Sequence, residues 1–333
     1  MFKPQKIYYE ENIINYPLGK MLLEKYNNVP KDVIQNHNNI PILRQSQNSD
    51  FLKLKQNLII GIRKTHKYVE NKKISNYLVP YTSSGCSAMC MYCYLVCHYN
   101  KCSYLRLFVN REQMLEKIIR TSEKSDKELT FEIGSNSDLI LENEITNNLV
   151  WTIENFANSK KGFLTFPTKF DMVDPILNLS GKEKIIPRVS VNPNEIIKHV
   201  EFGTSSLHNR ITAINKLKSV GYNVGIIIAP IILVNGYEKL YENLFKTLSE
   251  KLSKEAKKDV FFEMIFMTYS YVHNAINKEA FTNVKYDIYN KDIFTGRGKG
   301  KYMYKPNIKD NAKKYMLELM KKYFPNNKLI YIV

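Results

Sequence analysis

Nowhere in these 333 residues is there an apolar run long enough to cross a bilayer, and residues 1–15 lack the order of a secretory leader. A soluble, cytoplasmic protein with no membrane partner is therefore expected. Glycine (13) and proline (12) are scarce, which argues against a disordered or fibrous chain. Hydrophobic residues make up 44%, enough for a sizeable core, and the length suggests one large domain or one and a half. Acidic side chains are in deficit: 32 Asp and Glu against 49 Lys and Arg leave a net charge of +17. So basic a surface favours polyanions, nucleic acid first among them. A chain rich in Lys, Asn, Ile and Tyr can also reach such a charge by composition alone. The six histidines are scattered with no His-x-x-x-His pair. No Ser-His-Asp arrangement can be assembled, and residues 296–300 lack the spacing of a phosphate loop.

Cysteine is missing from all but one short segment. The five present are Cys86, Cys90, Cys93, Cys97 and Cys102. A secreted disulfide framework spreads its cysteines along the chain, and intracellular chains rarely form one. Clustering implies a metal or cofactor. Within Thr82-Ser-Ser-Gly-Cys86-Ser-Ala-Met-Cys90-Met-Tyr92-Cys93-Tyr94 the first three follow C-x3-C-x2-C. Three thiolates on one loop suit three irons of a cubane cluster and leave the fourth iron open to a small molecule. Zinc is the alternative. It prefers four ligands, and Cys97 could supply the fourth sulfur.

From about residue 76, short β-rich apolar runs alternate with longer segments of helical spacing, which predicts β-α repeats and a largely parallel sheet. Strands are expected near 77–82, 129–134, 163–167, 185–191, 224–230 and 260–266, and helices over 113–125, 146–157, 171–177, 206–219 and 238–252. Six such units predict an α/β fold, a partial (β/α)6 barrel of the TIM type over 76–267. Chemistry would gather at the C-terminal ends of its strands. Residues 1–75, with a short helix near 18–26 and an apolar run at 58–62, read as an N-terminal extension packing on the barrel. Residues 268–333 read as a C-terminal segment with a basic hairpin at 292–304, a helix over 309–323 and a strand over 329–333. The pair Glu132 and Asp138 is expected to be solvated or salt-bridged.

The cysteine loop resembles the signature of the radical S-adenosylmethionine superfamily, C-x3-C-x2-C with an aromatic before the last cysteine, here Tyr92. In that superfamily the cofactor's methionyl amine and carboxylate chelate the open iron of a [4Fe–4S] cluster. One electron then cleaves the sulfonium and releases a 5′-deoxyadenosyl radical. Within the superfamily the chain resembles the spore photoproduct lyase family over nearly its whole length. The matching segments include Tyr16-Pro-Leu-Gly19, Ile60-Gly-Ile-Arg-Lys64, Tyr92-Cys-Tyr-Leu95, Phe131-Glu132, Ser137-Asp138, Thr168-Lys-Phe170, Asn192, Phe202-Gly-Thr-Ser205, Ala229-Pro230 and Gly300-Lys-Tyr-Met-Tyr304.

The resemblance implies a carbon–carbon lyase that returns the spore photoproduct, 5-thyminyl-5,6-dihydrothymine, to two thymines in double-stranded DNA. It implies a reductant such as flavodoxin or ferredoxin, and a place in the spore or forespore interior. Cys86, Cys90 and Cys93 match the cluster ligands. Tyr92, Ser137, Lys169, Ser190 and Ala229 match cofactor contacts, with Lys169 near the methionyl carboxylate. Tyr92 matches the aromatic that packs near the cofactor, and Tyr94 matches a tyrosine associated with hydrogen-atom relay; both are catalytic candidates on that resemblance. Arg297, Lys299, Lys301 and Tyr302 fall in the hairpin that in the family approaches the lesion, where cations would meet phosphates and aromatics could stack on bases.

One departure bears on the chemistry. The family places a hydrogen-donating cysteine where Gly134-Ser135-Asn136-Ser137 has Ser135, and an alcohol O–H is much stronger than a thiol S–H. Three explanations stand. Cys97 or Cys102 has taken over donation, or Tyr92 and Tyr94 act unaided, or the substrate is different. Cys97 and Cys102 can equally be small buried hydrophobes. The hairpin run Gly296-Arg297-Gly298 also lacks the aromatic expected after the arginine. From another class altogether comes a basic nucleic-acid-binding protein whose metal is only structural.

Overall fold

The computed structural model describes residues 2–333. The six expected β-rich runs become six neighbouring parallel strands, Tyr77–Leu78, Thr130–Glu132, Phe163–Thr168, Ile185–Val191, Gly225–Ile231 and Phe261–Phe266. Leu329–Ile332 extends this sheet in parallel beyond the last strand, and Val69–Glu70 lies antiparallel outside the first. Two free edges remain, so the curled sheet is the partial barrel that the β-α repeats predict. Ile185–Val191 and Gly225–Ile231 are buried along nearly their whole length, as strands covered on both faces must be. Flanking helices bury a single stripe. Arg111–Lys124 buries Met114, Leu115 and Ile118, while Tyr237–Lys251 buries Tyr241, Leu244, Phe245 and Leu248. Ser206 caps Leu207–Ser219 by accepting from the Asn209 amide at 3.2 Å.

Three elements are markedly shorter than the sequence pattern predicts, among them the strand over 129–134, which is reduced to Thr130–Glu132. The strand over 77–82 stops at Leu78, because Pro80 has no amide hydrogen for the ladder. The helix over 171–177 is only a 3₁₀ turn, Asp174–Ile176, with Pro175 at its start.

A larger difference concerns the N-terminal residues. They form a second sheet, in the order Lys31–Ile34, Lys6–Glu10, Asn57–Gly61, Leu105–Phe108 and Ser83–Ser84. The first four strands are parallel, and Ser83–Ser84 runs antiparallel to Leu105–Phe108. Ile7, Leu58, Ile60, Leu105 and Leu107 make its core, joined by Ile145 from the helix Leu139–Thr146. The two strands flanking the cysteine segment therefore pair with each other. Everything from Gly85 to Tyr104 is an excursion closed at its base.

Gly85 sits at the mouth of that excursion with φ +77°, and a β-carbon there would lie 1.9 Å from the Tyr104 carbonyl oxygen. Only glycine fits both the backbone angle and the approach. Gly85→Ala is expected to cost more than about 2 kcal/mol by strain and clash. A urea midpoint equal to that of the parent protein would contradict this.

Candidate active site

At the C-terminal ends of the barrel strands lies a cavity of about 530 Å³. Cys86, Cys90, Cys93, Tyr92 and Tyr94 form one wall, and Ser135, Ser137, Lys169, Ser190 and Ala229 form another. Residues scattered over 140 positions of sequence meet because each follows or ends a neighbouring strand, which is where barrel folds assemble their sites.

The cysteine loop is tied from three sides. The ammonium of Lys55, only 2% exposed, donates to the carbonyls of Cys86 at 3.0 Å and Ser103 at 2.8 Å. His273 Nε2 meets the Cys93 carbonyl at 2.8 Å, the Asn277 amide donates to the Met91 carbonyl at 2.7 Å, and the Tyr289 hydroxyl donates to the same carbonyl. From the barrel, Met89 and Cys90 pair antiparallel with Phe202 and Glu201. Burial pushes the Cys86 thiol up to about 12 and the Cys90 thiol further, with Lys55 and Lys169 respectively opposing the shift. Among the described residues no three His, Cys, Asp or Glu side chains converge on one point where a single ion would sit. A lone zinc needs such convergence, whereas a cubane takes one thiolate per iron from sulfurs spread around it. The three thiols on one cavity wall suit the cluster.

The opposite wall is organised by a carboxylate that the sequence reading did not single out. Glu201 is buried, and its Oε1 accepts from Lys169 Nζ at 3.2 Å, Asn192 Nδ2 at 2.9 Å and the Tyr92 hydroxyl. Its Oε2 pairs with Arg210 Nη2 at 2.6 Å. Burial alone would raise this carboxyl, but the two cations and two hydrogen bonds outweigh it and hold Glu201 at about 2. Lys169 also donates to Ser190 Oγ at 2.7 Å and the Ala229 carbonyl at 2.9 Å. All three of its donors are engaged, so Lys169 reaches a ligand carboxylate only by releasing one acceptor. Ser190 donates to the Ala229 carbonyl at 3.1 Å, and Ser137 accepts from Ser83, which is also bonded to buried Glu142.

Asp138 departs from expectation, being neither solvated nor salt-bridged. It is buried at the N-cap of Leu139–Thr146 and accepts from the amides of Ile140, Leu141 and Lys169 and from the Thr168 hydroxyl. Glu132 does form a salt bridge, at 2.6 Å to Arg188, which also pairs with Glu263 inside the barrel.

Of the remaining sequence candidates, Cys97 and Cys102 do not face the cavity. Cys97 Sγ lies 3.5 Å from Ser270 Oγ and 3.7 Å from His273 Nδ1, while Cys102 is buried against the Leu43 carbonyl. Arg297, Lys299, Lys301 and Tyr302 do not line this cavity; they belong to the hairpin of Phe294–Gly298 and Lys301–Tyr304, whose neighbouring strand Thr268–Ser270 supplies Thr268 to the cavity lining. Arg297, Lys299 and Lys301 are exposed, and Tyr302 stacks on Tyr269 with ring centroids 4.8 Å apart. Glu201 adjoins the matched segment Phe202-Gly-Thr-Ser205, which was its one available signal. Lys55 had none, since a lysine in a lysine-rich stretch reads as solvated.

A carboxyl held at about 2 against its ordinary 4.5 stabilises the fold by about 3 kcal/mol above pH 4.5, a contribution lost as pH falls toward 2. Glu201→Gln strands Lys169 and Arg210 as unneutralised buried cations and should cost about 3–5 kcal/mol at pH 7. Between pH 4.5 and 2.5 the variant should lose less stability than the parent. Denaturation midpoints at pH 7 and 3 test this, and equal midpoints at pH 7 would refute it.

With the site described, three comparisons place the chain. The family model for spore photoproduct lyase matches residues 2–333. A spore photoproduct lyase of Bacillus subtilis (strain 168) is 32% identical over 339 residues, covering 99% of this chain and 98% of that protein. One from Geobacillus sp. (strain Y412MC61) is 29% identical with the same coverage. A solved spore photoproduct lyase complexed with dinucleoside spore photoproduct superposes with TM-score 0.91 at 27% identity, covering 100% of this chain and 99% of that one. A doubly substituted variant with bound AdoMet and the same dinucleoside gives TM-score 0.91 at 27% identity, with equal coverage. This chain belongs to the spore photoproduct lyase family.

Proposed function

We propose that this protein is a DNA repair lyase that converts the spore photoproduct in double-stranded DNA into two thymines. The observation that carries the assignment is that Cys86, Cys90 and Cys93 share one cavity with Tyr92, Ser137, Lys169, Ser190 and Ala229. In this reading the three thiolates hold a [4Fe–4S] cluster, and the second group of residues lines the S-adenosylmethionine site. When bound, and reduced by a flavodoxin- or ferredoxin-type donor, cluster and cofactor would supply the 5′-deoxyadenosyl radical chemistry needed to remove a hydrogen from C6 of the lesion. The chain's own residues orient the two partners and exclude water. The protein works in the spore or forespore interior, with residues 1–75 as an extension, 76–267 as the catalytic barrel and 268–333 carrying the DNA-facing hairpin. Arg297, Lys299 and Lys301 meet phosphates there, and Tyr302 lies against the bound strand.

Return of a hydrogen to the thymine radical falls to Tyr94. Ser135 faces the cavity but its O–H is too strong, and Cys97 and Cys102 face elsewhere. Tyr92 is bound to Glu201 and buried. Tyr94 is on the wall, 49% exposed, with its hydroxyl 3.5 Å from Asn136 Oδ1 beside Ser135. A phenol is a better hydrogen donor than an alcohol and a poorer one than a thiol. Slow quenching with by-products follows.

Ser135 also favours a second reading, a member of the same family with a different substrate. The deciding experiment supplies anaerobically reconstituted protein, dithionite, S-adenosylmethionine and the dinucleoside photoproduct. Thymine should form together with radical by-products. Ser135→Cys should cut the by-products several-fold, and Tyr94→Phe should reduce thymine yield in the parent background more than in Ser135→Cys. Cofactor cleavage without thymine sinks the lyase assignment. Loss of repair in Cys97→Ala, with Ser135→Cys inert, moves hydrogen donation to Cys97.

A further inference from the structure

A second cavity, of about 250 Å³, opens on the outer side of the hairpin sheet. Four aromatic residues, Tyr269, Tyr271, Phe294 and Tyr302, make up half of its lining, with Asn274 and Lys291 among its polar members. None of the six lines the cavity that holds the cysteines. The hairpin sheet is the partition between the two. Thr268 faces the first cavity while its neighbour Tyr269 faces the second, as alternation along a strand requires.

The walls differ in exposure. Tyr269 and Phe294 are buried, with ring centroids 4.8 Å apart, and Tyr302 stacks on Tyr269 at an interplanar angle of 13°. Tyr271 by contrast is 65% exposed, the most exposed large hydrophobic residue of the chain among those described. Its ring is nonetheless seated. Its amide donates to the Gly300 carbonyl at 3.2 Å, and a β-carbon on Gly300 would lie 2.6 Å from the Tyr271 ring. The hairpin tip presents bare backbone for the ring to lie against, leaving the other face to solvent. Arg297, Lys299 and Lys301 on the hairpin and Lys291 on the cavity wall are all exposed, which makes this rim cationic.

An open aromatic face, a buried aromatic floor, an amide that both gives and accepts, and a ring of cations suit a nucleobase joined to phosphates. The volume lies below the roughly 300–1,000 Å³ of sites for drug-sized ligands and fits one base better than a dinucleotide. We propose that this cavity is a second nucleobase site, with Tyr271 as its stacking platform, for a base flanking or opposite the lesion. The inference rests on the DNA-repair reading. A lesion turned into the first cavity leaves neighbouring bases without stacking or pairing partners. One such base lodges one sheet thickness away, about 10 Å, and holds the strand open while the chemistry proceeds.

The test separates this site from the lesion site, because a dinucleoside photoproduct fills only the latter. Reconstituted parent, Tyr271→Ala and Tyr271→Phe proteins are compared on the dinucleoside and on a duplex carrying the photoproduct, with 2-aminopurine beside or opposite the lesion. Tyr271→Ala should weaken duplex binding roughly tenfold, abolish quenching of the 2-aminopurine, and leave dinucleoside turnover and the salt dependence of binding unchanged. Tyr271→Phe should retain both affinity and quenching. Unchanged duplex affinity in Tyr271→Ala, or an equal fall in dinucleoside turnover, overturns the proposal. A flattened salt dependence would also overturn it, by making Tyr271 a support for phosphate-binding cations. If the parent binds duplex and quenches 2-aminopurine but releases no thymine from the dinucleoside, the lyase reading fails while the base site stands.

Discussion

A single buried carboxylate holds the two halves of this site in register. Glu201 pairs through its backbone with the cysteine loop, and its side chain gathers Lys169, Asn192, Tyr92 and Arg210 from four other stretches of chain. A charge so deeply placed is tolerated only because two cations and two hydrogen bonds surround it. Where those partners sit then determines where the strand ends and the loop sit. Lys169 carries the constraint further, to Ser190 and the Ala229 carbonyl, so the second cavity wall is anchored through the same ammonium that Glu201 holds.

Charge is deployed unevenly around the loop. Lys55 and Arg106 are buried beside it and donate to backbone carbonyls rather than to carboxylates. Their positive charge is therefore left without a neutralising anion, and at Cys86 the Lys55 ammonium opposes, without overcoming, the upward push of burial on the thiol. Net charge read from composition points outward, to phosphates. Part of the lysine and arginine excess in fact faces inward and conditions the site.

The barrel was legible because its strands are the most regular part of the chain. The run at 185–191 carries four β-branched residues, Ile185, Ile186, Val189 and Val191, and it forms Ile185–Val191 as expected. The three cysteines were legible because thiols in that spacing have few other uses. The N-terminal sheet was not, since Leu105–Phe108 is four residues long and its partners lie far away in sequence. Pairing at such distance leaves no local periodicity to read. Glu201 and Asp138 were hidden for a different reason. In sequence a carboxylate that binds buried cations, or caps a helix, looks the same as one on the surface. Lys169 lines the cavity, but its engagement with three acceptors depends on geometry that no motif encodes.

The antiparallel pairing of Ser83–Ser84 with Leu105–Phe108 has a consequence for how the protein matures. In small metal-dependent modules the ion supplies the energy that closes the ligand loop, so apo chains are unfolded. Here the loop's two ends are already joined by sheet hydrogen bonds and by the apolar contacts of Leu105 and Leu107. The entropy of closure is met by the polypeptide itself. Closing the cysteine loop therefore does not depend on a metal. The chain can reach its native topology before Cys86, Cys90 and Cys93 take up anything at all.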